Sequence, residues 1–254
     1  MKLDGSAAWV VGASSGIGAA VAEELTRRGA TVAISARRED ELQKVSDGRM
    51  LVVPLDVTQP VDVASAAARV RAELGDLDLV ISSAGYWKQL NPRAWDADLV
   101  ARHFAVNVTG TSNVIGAVLP DMLARGHGTF AGVASVAGFR GMPGAAAYGA
   151  TKAALINMLE SLRVQVRPSG VNVTTVCPGF VKTALVEQND FRMPFMVSAD
   201  VAARAICDGL EHDKQEIVFP WQMAALAKAA RYVPVRAWTA LWARPATRSM
   251  RSKR

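Results

Sequence analysis

Cysteine is nearly absent: Cys177 and Cys207 are the only two among 254 residues. They show no metal-ligand spacing and neither sits in a nucleophile motif. Two isolated thiols exclude a disulfide framework and fit a reducing compartment. Histidine is almost as scarce. His103, His127 and His212 fall on separate predicted elements without ligand partners at motif spacing, so no metal is expected. Long hydrophobic runs are missing too. None approaches the roughly 20 apolar residues of a membrane span. The early run Ala7–Val11 passes straight into a Gly/Ser-rich turn and is too short for a signal-peptide core. The cytoplasm is the expected location. Acidic residues stop at Glu216: from Ile217 onward there are eight Lys/Arg and no Asp or Glu. The formal net charge of +6 therefore belongs to the tail, because the preceding residues carry 21 basic against 23 acidic side chains. That balance argues against nucleic acid as a partner of the body of the protein.

What is present is an alternation. Half the residues are hydrophobic and a fifth are charged, enough to bury a core without staples. Short apolar or β-branched runs occur at Ala8–Val11, Thr31–Ser35, Met50–Pro54, Leu79–Ser82, Gly128–Ala134, Val171–Val176 and Glu216–Phe219. Helical patterns such as Ile17–Arg28, Glu39–Val45 and Val61–Glu73 lie between the early ones. Continuously apolar strands alternating with helices predict a parallel sheet buried on both faces. The expected fold is α/β: a single-domain Rossmann-type, doubly wound parallel sheet of about seven strands with helices on both faces. Residues 1–220 form the expected dinucleotide-binding catalytic domain and residues 221–254 a basic amphipathic helical extension. The stretch Thr183–Ser198 lacks periodicity and holds Phe191, Met193, Phe195 and Met196. It follows a strand and reads as an apolar lid over a substrate.

The first strand runs into Gly12-Ala13-Ser14-Ser15-Gly16-Ile17-Gly18 and then a helix. Glycines there allow a tight turn and a close approach of backbone N–H groups to a pyrophosphate, with the positive end of the helix facing it. The spacing is G-x-x-x-G-x-G rather than the usual dinucleotide G-x-G-x-x-G. The second strand ends at Ser35-Ala36-Arg37-Arg38. An NAD site would place a carboxylate near there for the ribose 2′-hydroxyl. Ala36 leaves that place empty, and Arg37, with Arg38 beside it, offers a guanidinium to a 2′-phosphate. NADP(H) is expected in preference to NAD(H).

Tyr148 and Lys152 are four residues apart and share a helix face. A phenol ordinarily titrates near pH 10. A neighbouring ammonium favours the phenolate, so Lys152 is expected to lower the Tyr148 pKa toward the working range. Ser135, at a strand end, could hold a substrate oxygen while charge develops on it.

Taken together, these motifs resemble the short-chain dehydrogenase/reductase family over about residues 5–220. The residues carrying the resemblance are Gly12-x-x-x-Gly16-Ile17-Gly18, Asp56-Val57, Ser82-Ser83-Ala84-Gly85, Asn107, Ser135, Tyr148-x-x-x-Lys152 and Pro178-Gly179. The resemblance implies that Asp56 holds the adenine amine and Val57 contacts the ring. Ser83, Ala84 and Gly85 would pass beside the adenosine ribose, and Pro178, Gly179, Val181 and Thr183 would lie along the nicotinamide. It also implies that Lys152 bonds the nicotinamide ribose and that Asn107 holds a water relaying protons to Lys152. The implied activity is hydride transfer between nicotinamide and a ketone or secondary alcohol, in the direction of reduction, by a homodimer or larger assembly. Two departures stand out. The family's usual Asn-Asn is Ser82-Ser83 here, which predicts some loss of stability. The usual Gly-rich ending is replaced by the basic tail, which puts a tetramer in doubt.

In that tail Met223, Leu226, Ala227 and Ala230 share one helix face, and after Pro234 so do Val235, Trp238, Leu241 and Trp242, with Arg236 and Arg244 opposite. Such a helix could lie on anionic lipid, or it could pack on its own or a partner subunit. Two other functions remain open: a catalytically silent NADP(H)-binding regulator, and a membrane-surface interaction protein.

Overall fold

A computed structural model of the chain describes residues 1–184 and 193–249, with 243–249 by backbone alone. Seven strands appear: β1 (Ala7–Val11), β2 (Thr31–Ser35), β3 (Leu51–Val52), β4 (Leu79–Ser82), β5 (Gly128–Val133), β6 (Val171–Pro178) and β7 (Glu216–Phe219). They form one parallel sheet in the order β3-β2-β1-β4-β5-β6-β7. The expected strand Met50–Pro54 shortens to two residues. It is an edge strand with one neighbour, and Pro54 has no N–H to give a ladder.

Successive side chains of a strand point to opposite faces, and β1 shows this directly. Ala8 and Val10 belong to one core with α1 (Gly16–Arg27), α2 (Glu39–Ser46) and α7 (Ala199–Glu211). Ala7, Trp9 and Val11 belong to the other, with α3 (Pro60–Leu74), α5 (Gly110–Arg125) and α6 (Ala146–Val166). Arg28 ties α1 to α7, pairing with Glu24 and Asp208 at 2.7 Å and with Glu211 at 2.6 Å. From β1 the chain winds one way through β2 and β3, and from β4 the other way, so the crevice at the carboxyl ends of β1 and β4 is the switch point where ligands bind such sheets.

The helical stretch that carries Asn107 is interrupted. A short helix α4 (Ala97–Phe104) passes into a π-helical turn, Ala105–Thr109, before α5 begins. π-Turns inside helices often occur at functional sites, and this one carries Asn107. Beyond β7 the tail forms α8 (Trp221–Ala230) and α9 (Val235–Ser249). Met223 and Ala227 of α8 pack against a core of Ala134, Val136, Phe139, Leu155 and Cys177. Among the described residues no helix is long and apolar enough to cross a membrane.

Candidate active site

The Gly12–Gly18 turn is tight enough to dictate its own residues. Gly12 has φ +90°, and a Cβ there would lie 2.3 Å from the Ala84 backbone nitrogen. A Cβ at Gly18 would lie 2.3 Å from the Gly12 carbonyl oxygen. These glycines thus let the turn sit on the end of β4 and the helix sit on the turn. Ser83 continues the contact, its N–H donating to the Val11 carbonyl at 2.7 Å. Ser15 caps α1 by position only, its side chain making no cap hydrogen bond, so the first N–H groups of the helix are not claimed by it. Ile17 is partly buried against the core, and Gly16 lies beside Thr183, whose Cγ2 would be 3.0 Å from a Cβ at that position. A glycine cradle at a helix N-terminus suits the phosphates of a dinucleotide.

At the end of β2, Arg37 and Arg38 are both exposed. It is Arg38 that reaches the turn, donating to Ser14 Oγ at 3.2 Å. Glu39, Asp40 and Glu41 fill the first turn of α2. The helix dipole is thereby already matched by acids, and two arginines there do not by themselves require a bound anion. Asp56 is held in a turn by the Thr58 N–H and hydroxyl, at 2.9 and 2.8 Å. Val57 is buried against Gly110, where a Cβ would meet its Cγ2 at 2.7 Å.

Four residues singled out for chemistry converge at the carboxyl ends of β4 and β5. Ser135 follows β5 and accepts a hydrogen bond from the Ala137 N–H at 3.1 Å, with its hydroxyl close enough to the Tyr148 phenol to act on it electrostatically. It also lies 3.5 Å from the Pro178 carbonyl. Lys152 is buried, its Nζ 5.5 Å from the Tyr148 ring centroid and donating to the Val133 carbonyl at 2.8 Å. A Cβ on Gly85 would come within 3.9 Å of Asn107 Oδ1 and 4.0 Å of Lys152 Nζ, so these three residues share one corner.

One expectation changes here, that for Tyr148, and Asn107 gains a structural role. Asn107 is fully buried and its side chain is engaged with protein: Oδ1 accepts from the Tyr86 N–H at 2.6 Å, and Nδ2 donates to the Tyr86 carbonyl at 3.1 Å and Thr151 Oγ1 at 2.9 Å. Its visible work is to fix the loop after β4. The expected lowering of Tyr148 is not found. Loss of water pushes the phenol up to about 12, opposed by the nearby Ser135 hydroxyl. Burial likewise pulls Lys152 down to about 8. Desolvation is the largest influence on the phenol, and the ammonium 5.5 Å from its ring does not offset it.

Several neighbours were invisible to motif reading. A Cβ on Gly138 would sit 2.6 Å from the Lys152 carbonyl carbon, so only glycine lets the segment after Ser135 lie on α6. Trp87 stands edge-on to Tyr148 with ring centroids 5.1 Å apart. Beneath it, the buried His103 accepts from the Lys88 N–H at 3.2 Å through Nε2, and its Nδ1 lies 2.7 Å from the Leu99 carbonyl. That pairing requires the Nδ1–H tautomer. An aromatic residue directly after Ala84-Gly85 was the one available signal.

The substrate-side segments are only partly described. Phe191 of the expected lid lies outside the described residues, whereas Phe195 and Met196 are exposed. Val181 and Val197 form a parallel bridge, with Lys182 N–H donating to Val197 at 2.9 Å, which pins the two ends of the segment together. Gly179 lies under α8, where a Cβ would meet Met223 at 3.0 Å. Cys177 and Cys207 are buried, and burial pushes both thiols up to about 12, leaving no thiolate nucleophile near neutrality. The departure at Ser82 is accommodated: its hydroxyl pairs with Thr111 Oγ1 at 3.2 Å, tying β4 to α5.

A family model described as short chain dehydrogenase matches residues 6–192. An uncharacterised oxidoreductase of Myxococcus xanthus is 40% identical over 233 residues, covering 89% of this chain and 92% of that protein. The oxidoreductase UcpA of Escherichia coli is 35% identical over 193 residues, 73% of each chain. Among solved structures, a short chain dehydrogenase from Burkholderia cenocepacia in complex with NADP superposes with a TM-score of 0.84 at 28% identity, covering 96% of this chain and 99% of that one.

Proposed function

The chain belongs to the short-chain dehydrogenase family, and from that membership we propose that it is an NADP(H)-dependent reductase of hydrophobic ketones with Tyr148 as the proton donor. The observation that carries this is the grouping of Ser135, Tyr148 and Lys152 at one strand end, with Lys152 Nζ 5.5 Å from the Tyr148 ring and the phenol, raised by loss of water, protonated near neutral pH. A protonated phenol can give its proton to a carbonyl oxygen but cannot accept one from an alcohol, which favours reduction over oxidation. When bound, the reduced nicotinamide supplies the hydride to the carbonyl carbon. Ser135 shares the oxygen with Tyr148 and stabilises charge developing on it. Lys152, buried and largely protonated below its pKa of about 8, offsets the phenolate that forms. Asn107 positions the Tyr86–Trp87 backbone.

Residues 12–18 would hold the pyrophosphate, Asp56 and Val57 the adenine, and Ser83–Gly85 a ribose. Residues Pro178, Gly179, Val181 and Thr183 would lie along the nicotinamide. Arg38, already at Ser14, supports NADP(H) over NAD(H), with Arg37 beside it. On this reading residues 1–220 are the catalytic domain, working as a homodimer or larger assembly in the cytoplasm. The test is consumption of NADPH against a panel of aliphatic and aryl ketones by wild type and Tyr148→Phe. Turnover lost in the variant with cofactor affinity retained is expected. Cofactor binding without turnover of any ketone would favour a silent cofactor-binding regulator.

A second partner has its own support. Trp221, Leu226, Tyr232, Val235 and Leu241 are each more than half exposed, in a segment whose only ionisable chains besides Tyr232 are basic. That combination suits peripheral contact with an anionic bilayer. Co-sedimentation with phosphatidylglycerol vesicles, lost in Trp221→Glu with Leu226→Glu, tests it. Equal recovery with neutral vesicles or none would remove the membrane from the account.

A further inference from the structure

Ser135 and Tyr148 are joined by a single stretch of chain, and the outer part of that stretch is held by the C-terminal helices. Arg140 donates through one terminal nitrogen to the Arg231 carbonyl at 3.2 Å and through the other to the Val233 carbonyl at 2.9 Å. Both carbonyls lie in the short connection between α8 and α9, beyond the last helical residue Ala230, where a cation serves acceptors that no helix ladder pairs. The same guanidinium lies 5.4 Å from the Trp238 ring centroid. Trp238 Nε1 donates to the Gly141 carbonyl at 2.8 Å, and the Arg231 guanidinium sits 5.6 Å over the Phe139 ring. Three consecutive residues, 139–141, are thus fastened to the arm by their side chains or backbone.

The inner end of the stretch faces the other way. The Gly144 carbonyl accepts from the Leu90 N–H at 3.2 Å, linking it to the loop that sets Trp87 against Tyr148. Its own regular structure is slight: a single turn of 3-10 helix at Val136–Gly138. A segment with little internal bonding takes its order from what it packs against.

We propose that α8–α9 is a brace for the wall between Ser135 and Tyr148, and that Arg140 is a positioning residue for substrate binding. The arm fixes 139–141 from outside, and 142–145 carry that order to the substrate side. The phosphate turn and the adenine site proposed above, built on β1, β2 and β4, lie on the other half of the sheet. The inference rests on Ser135 and Tyr148 being the catalytic pair.

Hydrogen exchange of the full chain bound to NADPH tests it without needing a substrate. In Arg140→Ala the amides of 136–147 should exchange about tenfold faster, with residues 12–18 unchanged and NADPH affinity kept within about twofold. Arg140→Lys, able to reach one carbonyl but not both, should fall between. Trp238→Phe, which keeps the ring and loses the donor, should accelerate exchange less than Arg140→Ala. In steady state, with whichever ketone the panel above identifies, Arg140→Ala should raise KM several-fold with kcat little changed. Unchanged exchange in 136–147 would overturn the brace, as would equal acceleration in 12–18, which would mean a general loss of stability. If no ketone is turned over by wild type, the catalytic reading fails, while the exchange result still decides whether the arm orders the wall.

Discussion

The two halves of the site are built by different means. On the cofactor side, β1, β2 and β4 end within a few ångströms of one another, and the turn between them tolerates only glycine at Gly12 and Gly18. On the side proposed for substrate, the walls are Trp87, the 139–145 stretch and the segment tied by Val181 and Val197, held by partners away from them in sequence: His103, Leu90, Arg231, Val233 and Trp238. One half is fixed by backbone geometry, the other by side-chain contacts with other elements. The first should therefore be intolerant of change and the second adjustable, as suits one cofactor and a variable substrate.

The largest expected separation of the halves comes from Tyr148→Phe. Turnover should fall by about 10²–10⁴-fold, with NADPH affinity changed by less than about twofold in fluorescence titration. A parallel loss of cofactor binding would show the halves to be one unit. Next in size is Gly12→Ala. Its positive φ and the clash with Ala84 together should cost about 2–6 kcal/mol in urea unfolding. Gly5→Ala is the control: Gly5 has φ +77° but nothing within 4 Å, so about 1–3 kcal/mol is expected from the backbone alone. Equal costs would mean the close approach to β4 is not what constrains the turn.

Lys152, set between the halves, gives a pH signature. Burial holds it at about 8 against 10.5 for an ordinary lysine. Between those values the folded protein carries fewer protons than the unfolded chain, so the Lys152 contribution to stability rises with pH. Below about 8 the buried charge costs on the order of 3 kcal/mol, and above 10.5 that cost is gone. Cys177 and Cys207, whose pKa values are raised, act oppositely above their ordinary 9.0, and Tyr148 does so above 10.0. The quantity to read is the difference from Lys152→Met: the variant's relative advantage in the cofactor-free protein should shrink from about pH 7 to 10. A constant difference would show that Lys152 does not titrate in this range.

A smaller effect separates the two arginines. Arg38→Ala should reduce the preference for NADPH over NADH about tenfold, whereas Arg37→Ala should change it less, because Arg38 is the one at the phosphate turn. Reversed effects would return the role to Arg37. Smallest is Ser82→Ala, which should cost about 1 kcal/mol through the lost bond to Thr111, without altering affinity for either ligand.

How much of this the sequence disclosed follows the same division. The strands and their parallel arrangement were legible because β1 and β4 are buried along their whole length and helical patterns alternate with the early strands. The glycine turn and the Tyr148–Lys152 spacing were legible because each is local. The π-turn at Asn107 was not: it interrupts an apolar pattern without a proline or glycine inside it. The rise of the Tyr148 pKa was missed because spacing gives the distance to Lys152 but not the water lost around both groups. Gly138, His103 and the anchoring of the tail by Arg140 depend on residues that meet only in three dimensions, and no local pattern reports them.

The link from Arg140 to the Arg231 and Val233 carbonyls also imposes an order of assembly. The strands that frame the phosphate turn, β1, β2 and β4, all lie before residue 83, so they leave the ribosome well before α8 and α9. If α8–α9 is the brace proposed above, the wall between Ser135 and Tyr148 takes its final order only when the arm docks. Cofactor could thus settle on a nascent chain and steady it, while the half that selects the substrate matures later.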